Sequence, residues 1–264
     1  MLATLATFLL ILAGVAAGVW LLRHRTTGPS RLPRDSVAHS LGLFVLAVVG
    51  LMAWQQAANP AVAPELAAIS PSLLRNRLAG AIAVGLFIAA VLLAGFVFPR
   101  WPKRRALFLA ERRALRRLPI VAALAIAVVG GTLALSLVLS QFGVAGDHQL
   151  VATLRRSGTP SLWLLVIVSA GIVAPLQEEA MFRVVLQGYL RRFVSPTAAI
   201  AGQAALFAAV HEVAVMLTVL PLAVAAGWLY DRTGSYALAV ALHAAFNLSM
   251  LSVLALQVLS AAHA

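Results

Sequence analysis

The chain alternates between long apolar runs and short basic or Pro-rich segments, and this alternation predicts its architecture. Leu2 to Leu22 is an unbroken apolar run closed by Arg23 and Arg25. It is long enough to span a bilayer and lacks the basic start of a cleaved leader, so it reads as a retained helix. Further spans are predicted over about Ser36 to Ala57, Leu78 to Phe98, Pro119 to Phe142, Ser161 to Tyr189 and Ser235 to Ser260. Residues 197–230 form two more, a short sixth and a seventh, meeting near His211-Glu212. Pro60, Pro64 and Pro71 predict a loop over residues 58–77, because proline interrupts the helical hydrogen-bond ladder. Asp231 to Gly234 predicts a tight polar turn. The expected fold class is therefore all-α, a polytopic membrane protein with about eight transmembrane helices. Residues 1–118 would hold helices 1–3 and a basic cytoplasmic loop, and residues 119–264 would hold helices 4–8.

Composition agrees with that pattern. Of 264 residues, 62% are hydrophobic and 11% charged, against about 25% charged in soluble domains. The net charge of +12 falls between apolar runs, which suits membrane topology and anionic lipid rather than nucleic acid. With both termini outside, the inner loops hold 15 basic residues and the outer loops 4. That asymmetry follows the positive-inside rule. All five tryptophans lie near predicted span ends, as an aromatic belt requires. Residues 100–117 carry eight of the basic residues, with Leu107, Ala110, Ala114 and Leu118 at helical spacing. This stretch is either a surface-lying amphipathic helix or an orienting basic loop. Arginine dominates the basic residues and alanine is abundant, a hint of a GC-rich bacterial genome, and the expected location is a bacterial inner membrane. The absence of cysteine excludes disulfides, thiolate metal sites and a cysteine nucleophile.

Candidate chemistry sits where ionisable groups are expensive. Glu178, Glu179 and Arg183 lie within the fifth predicted span. Each costs roughly 2.5–3.5 kcal/mol at membrane depth on insertion scales. Glu179 and Arg183 are four apart and face each other on a helix, so they can neutralise one another. Glu178 is about 100° round the helix, without that partner, and can serve as a general base. Pro175 lacks an amide hydrogen and is expected to free the Gly171 carbonyl, opening room for water. Phe207 precedes His211 by one turn, and His243 precedes Asn247 by one turn. A glutamate and a histidine activating water, opposite a His/Asn oxyanion hole, would make a hydrolytic site. The plainer readings are a packing ion pair with a spare glutamate, and polar contacts between helices. His211-Glu212 is not a zinc-protease HExxH motif, because position 215 is valine.

Taken together, Glu178-Glu179-Ala180-Met181-Phe182-Arg183 (EExxxR), Phe207 to His211 (FxxxH) and His243 to Asn247 (HxxxN) resemble the CPBP family. These are intramembrane endopeptidases related to the type II CAAX prenyl protease and to bacterial abortive-infection membrane proteins. The resemblance covers roughly residues 160–255. It implies an eight-helix fold and peptide-bond hydrolysis without a covalent acyl intermediate. It assigns water activation to Glu178 and His211 and oxyanion stabilisation to His243 and Asn247, with Glu179 in the catalytic group and Arg183 and Phe207 in support. No cofactor is expected, although His211, His243 and a glutamate could ligate zinc. The expected partners are a membrane-associated peptide or protein substrate and the lipid bilayer, with no nucleic acid. A non-catalytic immunity or scaffold protein that binds a partner, and a proton-coupled transporter, are the alternatives.

Overall fold

A computed structural model describes residues 45, 71–96, 117–143, 154–155, 159–211 and 213–262. The first two predicted spans, the basic stretch 99–116, most of the loop 143–160 and Glu212 lie outside the described residues, apart from Val45 on the second span. Regular structure among the described residues is entirely helical. The helices are α1 Pro71–Phe96, α2 Leu118–Gln141, α3 Pro160–Leu190, α4 Pro196–Ala209, α5 Val213–Met216, α6 Leu220–Thr233 and α7 Tyr236–Ala262. Of these, α1, α2, α3 and α7 are long and apolar enough to cross a membrane. Their outer faces suit lipid: Phe87, Ile126, Leu137, Leu164 and Leu256 are all exposed.

Two expectations are corrected. The loop predicted over residues 58–77 gives way to helix from Pro71, with Arg75 and Arg77 inside α1. Proline at the first helical position has no amide hydrogen to lose from the ladder, so it opens a helix rather than breaking it. The polar turn at 231–234 is shorter than predicted: α6 runs through Thr233, and Gly234 (φ 69°) ends it in a left-handed cap. The sixth element, α4, is short as expected, with 14 residues ending at Ala209. His211 therefore lies in the bend beyond it, its amide bonded to the Ala208 carbonyl.

Local sequence explains the ends. Thr159 and Ser195 cap α3 and α4 with side-chain oxygens that accept from Leu162 and Ala198 amides, each followed by a proline. Inside α3 the ladder loosens twice into π register, at Ser169–Val173 and Ala180–Gln187. The second segment is wholly buried and bears Arg183.

Helix directions follow from named contacts. Gln187 Nε2 donates to the Gly227 carbonyl (3.0 Å), and four residues on in both helices Arg191 Nε reaches Asp231 Oδ1 (3.0 Å). Equal steps mean that α3 and α6 run parallel. The Asn247 amide meets the Ala170 carbonyl and His243 meets Glu179. The step forward on α7 is a step back on α3, so these two run antiparallel. The largest core forms around the buried π segment, with Phe182, Val185, Leu186, Phe207, Ala223 and Tyr236 in contact.

Candidate active site

The structure brings the EExxxR and HxxxN clusters into direct contact, and Phe207 links them to His211. Glu179 and Arg183 pair as their spacing predicts: Arg183 Nε to Glu179 Oε2 is 2.7 Å and Nη2 to Oε1 is 3.3 Å. Both side chains are 0% exposed. A buried pair needs its remaining polar atoms satisfied, or desolvation outweighs the attraction. Arg183 Nη1 donates to Gln203 Oε1, and Gln203 Nε2 donates to the Ala223 carbonyl (3.1 Å). Glu179 Oε1 meets His243 Nδ1 at 2.9 Å. One chain of bonds thus joins α6, α4, α3 and α7.

The two neighbouring glutamates are separated by environment. Glu179 is sealed, whereas the Glu178 side chain is 23% exposed. Glu178 Oε2 lies 3.8 Å from His243 Nε2, on the ring edge opposite Glu179. The two carboxylates therefore flank one imidazole. A carboxylate only accepts, so His243 Nδ1 carries the hydrogen and Nε2 points to Glu178. His211 Nδ1 lies 2.6 Å from the Phe207 carbonyl, which also only accepts, so the free lone pair of a neutral His211 is on Nε2.

Phe207 is the hub of these rings and is fully buried. Its ring centroid stands 4.6 Å from His211, 5.9 Å from His243 and 5.0 Å from Phe182, with Arg183 Cζ 5.3 Å above it. Edge-to-face packing and the guanidinium over the ring fix its tilt, and through it the two imidazoles.

Asn247 and His243 share one face of α7, as predicted, and both reach α3. The carbonyl that Pro175 frees is Ala170's rather than Gly171's. The ladder there is in π register, with Ala174 N bonded to Ser169 O, so the next donor in line for Ala170 would be residue 175, which has no N–H. Asn247 Nδ2 occupies that acceptor at 2.7 Å and keeps one amide hydrogen in reserve.

Two contributors escape a sequence reading. Gln203 is an ordinary polar residue on an apolar helix; its distance from any motif hides its bond to Arg183. Gly227 lets α6 come close, since a Cβ there would stand 2.6 Å from Gln203 Nε2. Among the described residues no group of three His, Asp or Glu side chains is placed to hold a metal ion.

No curated protein and no solved structure matches the chain. The family model described as Type II CAAX prenyl endopeptidase Rce1-like matches residues 160–249. That segment begins at the start of α3, ends two residues beyond Asn247 and contains every side chain of the cluster. Residues 160–249 thus match an Rce1-like domain, the domain of a protease family, in a chain with four helices long and apolar enough to cross a membrane among its described residues.

Proposed function

We propose that the domain is an intramembrane endopeptidase that hydrolyses a peptide bond of a membrane-associated protein or peptide. The observation that carries the proposal is the division of labour between adjacent glutamates: Glu179 is sealed against Arg183 and His243, while Glu178 is open and faces the other edge of the same ring.

In this scheme Glu178 and the Nε2 lone pair of His211 orient a water. Its oxygen adds to the scissile carbonyl carbon as its proton passes to the Glu178 carboxylate, and the carbonyl π electrons move to oxygen. The scheme requires His243 as its imidazolium, so that Nε2–H donates to that oxyanion while Nδ1–H stays on Glu179, and the spare amide hydrogen of Asn247 adds a second donor. Collapse restores the carbonyl, breaks the C–N bond and returns the proton from Glu178 to the leaving amine. Glu179 holds the His243 ring, Arg183 holds Glu179, and Phe207 keeps the two imidazoles apart and aligned. The mechanism uses no metal. The eight-span arrangement, both termini outside a bacterial inner membrane and the division at residue 118 belong to the same proposal.

The test is Glu178→Gln in proteoliposomes with membrane-associated peptides. Loss of a general base lowers turnover by about 10²–10⁴-fold. Because Glu178 is partly exposed, its melting temperature should stay with the parent's. Undiminished cleavage removes Glu178 from the mechanism. A non-catalytic scaffold, by contrast, retains partner binding in Glu178→Ala and His211→Ala and shows no turnover in the parent.

A further inference from the structure

A second feature lies away from the cluster, between α2 and α6. An open groove of about 690 Å³ runs there, lined by apolar side chains including Leu124, Leu135, Leu217, Val224 and Trp228. Thr132 Oγ1 donates to the Thr218 carbonyl at 3.0 Å, which sets the level of the two helices. Leu124 and Trp228 border the same groove at similar distances from that bond, so α2 and α6 run antiparallel. From Leu220, at the start of α6, to Trp228 is about 12 Å at 1.5 Å per residue, and Leu217 in the preceding turn extends the lining. One leaflet of a bilayer has about 15 Å of hydrocarbon.

The groove ends in positive charge. Leu220, Val224, Trp228 and Arg232 are four apart and form one stripe of α6. The first three line the groove, and the Arg232 guanidinium stands 5.9 Å above the Trp228 ring. Arg117, at the start of α2, lies at the same end of the helix pair. Asp231, the acid nearest in sequence, is bonded to Arg191. Hydrocarbon depth with tryptophan at the interface and arginine beyond it is the polarity of one lipid chain and its headgroup.

We propose that this groove binds one acyl chain of an anionic phospholipid, with the headgroup phosphate at Arg232. A neutral chain, such as an isoprenoid, would leave the cationic end without a counterpart.

The test is native mass spectrometry of the full chain in detergent, with dioleoyl phosphatidylglycerol or dioleoyl phosphatidylcholine added. One phosphatidylglycerol should be retained about fivefold more strongly than phosphatidylcholine, the effect of one arginine near the membrane surface. Arg232→Gln should bring the ratio close to one. Ala225→Phe should fill the groove and release both lipids; Val224→Asn, on the same lining, serves where that variant does not fold. Equal retention of the two lipids by the parent overturns the proposal, as does an unchanged preference in Arg232→Gln. Retention of lipid in a folded groove variant does so too. Displacement of the phospholipid by an equal amount of geranylgeraniol assigns the groove to isoprenoid chains instead.

Discussion

Removing Arg183 tests whether the cluster holds the fold as well as the site. Arg183→Met keeps most of the side-chain volume and deletes the guanidinium. It breaks both bonds to Glu179 (2.7 and 3.3 Å), the bond to Gln203 and the stacking on Phe207. Glu179, 0% exposed, is left as a buried carboxylate with His243 as its remaining hydrogen-bond partner. Breaking a buried pair from one side costs about 3–5 kcal/mol, against about 0–1 kcal/mol for an exposed pair. For a chain of this size each kcal/mol moves the melting temperature by about 2–4 °C. The expected fall is therefore about 6–20 °C, read by tryptophan fluorescence on the purified protein in detergent, with circular dichroism to confirm helix content. Adding Glu179→Gln removes the stranded charge, so the double variant should recover part of the loss. A fall of less than about 4 °C in Arg183→Met, or a double variant that loses the sum of the two single effects, refutes the coupled buried pair.

Other outcomes follow from the same geometry. Gly227→Ala places a Cβ 2.6 Å from Gln203 Nε2; overpacking of this kind costs about 1–3 kcal/mol, and kcat should fall with KM unchanged, checked by steady-state cleavage. Tyr236→Phe deletes the 2.6 Å bond to the Leu176 carbonyl and should lower stability by about 0.5–1.5 kcal/mol in thermal melts. Excess o-phenanthroline should leave cleavage unchanged; a loss that zinc restores contradicts the metal-free mechanism. Gln203→Leu strands one Arg183 donor and should lower both melting temperature and turnover, whereas Gln203→Glu, which keeps an acceptor for Arg183, should retain more of each.

Much of the site was legible because helical spacing is a local rule. Glu179 and Arg183 pair as four-residue neighbours, and His243 and Asn247 share a face, as the periodicity requires. The long apolar runs likewise became α2, α3 and α7 close to their predicted bounds. The misreadings came where one residue type serves two purposes. Proline both breaks and opens helices, and Pro71 opens one. A π turn shifts the ladder by one residue, which moved the freed carbonyl from Gly171 to Ala170.

The linear chain alone settled that the polar groups of α3, α4 and α7 sit in apolar surroundings, since their neighbours along the sequence are almost all hydrophobic, and it settled which side chains share a helical face. It could not say which of two adjacent glutamates would take His243, that Gln203 would complete the shell of Arg183, or that Phe207 would stand between two imidazoles. Those depend on how helices distant in sequence cross and at what level. Crossing is decided by close packing over many side chains at once, with Gly227 allowing the approach and the π segments setting the rotation, and no single stretch of sequence contains that information.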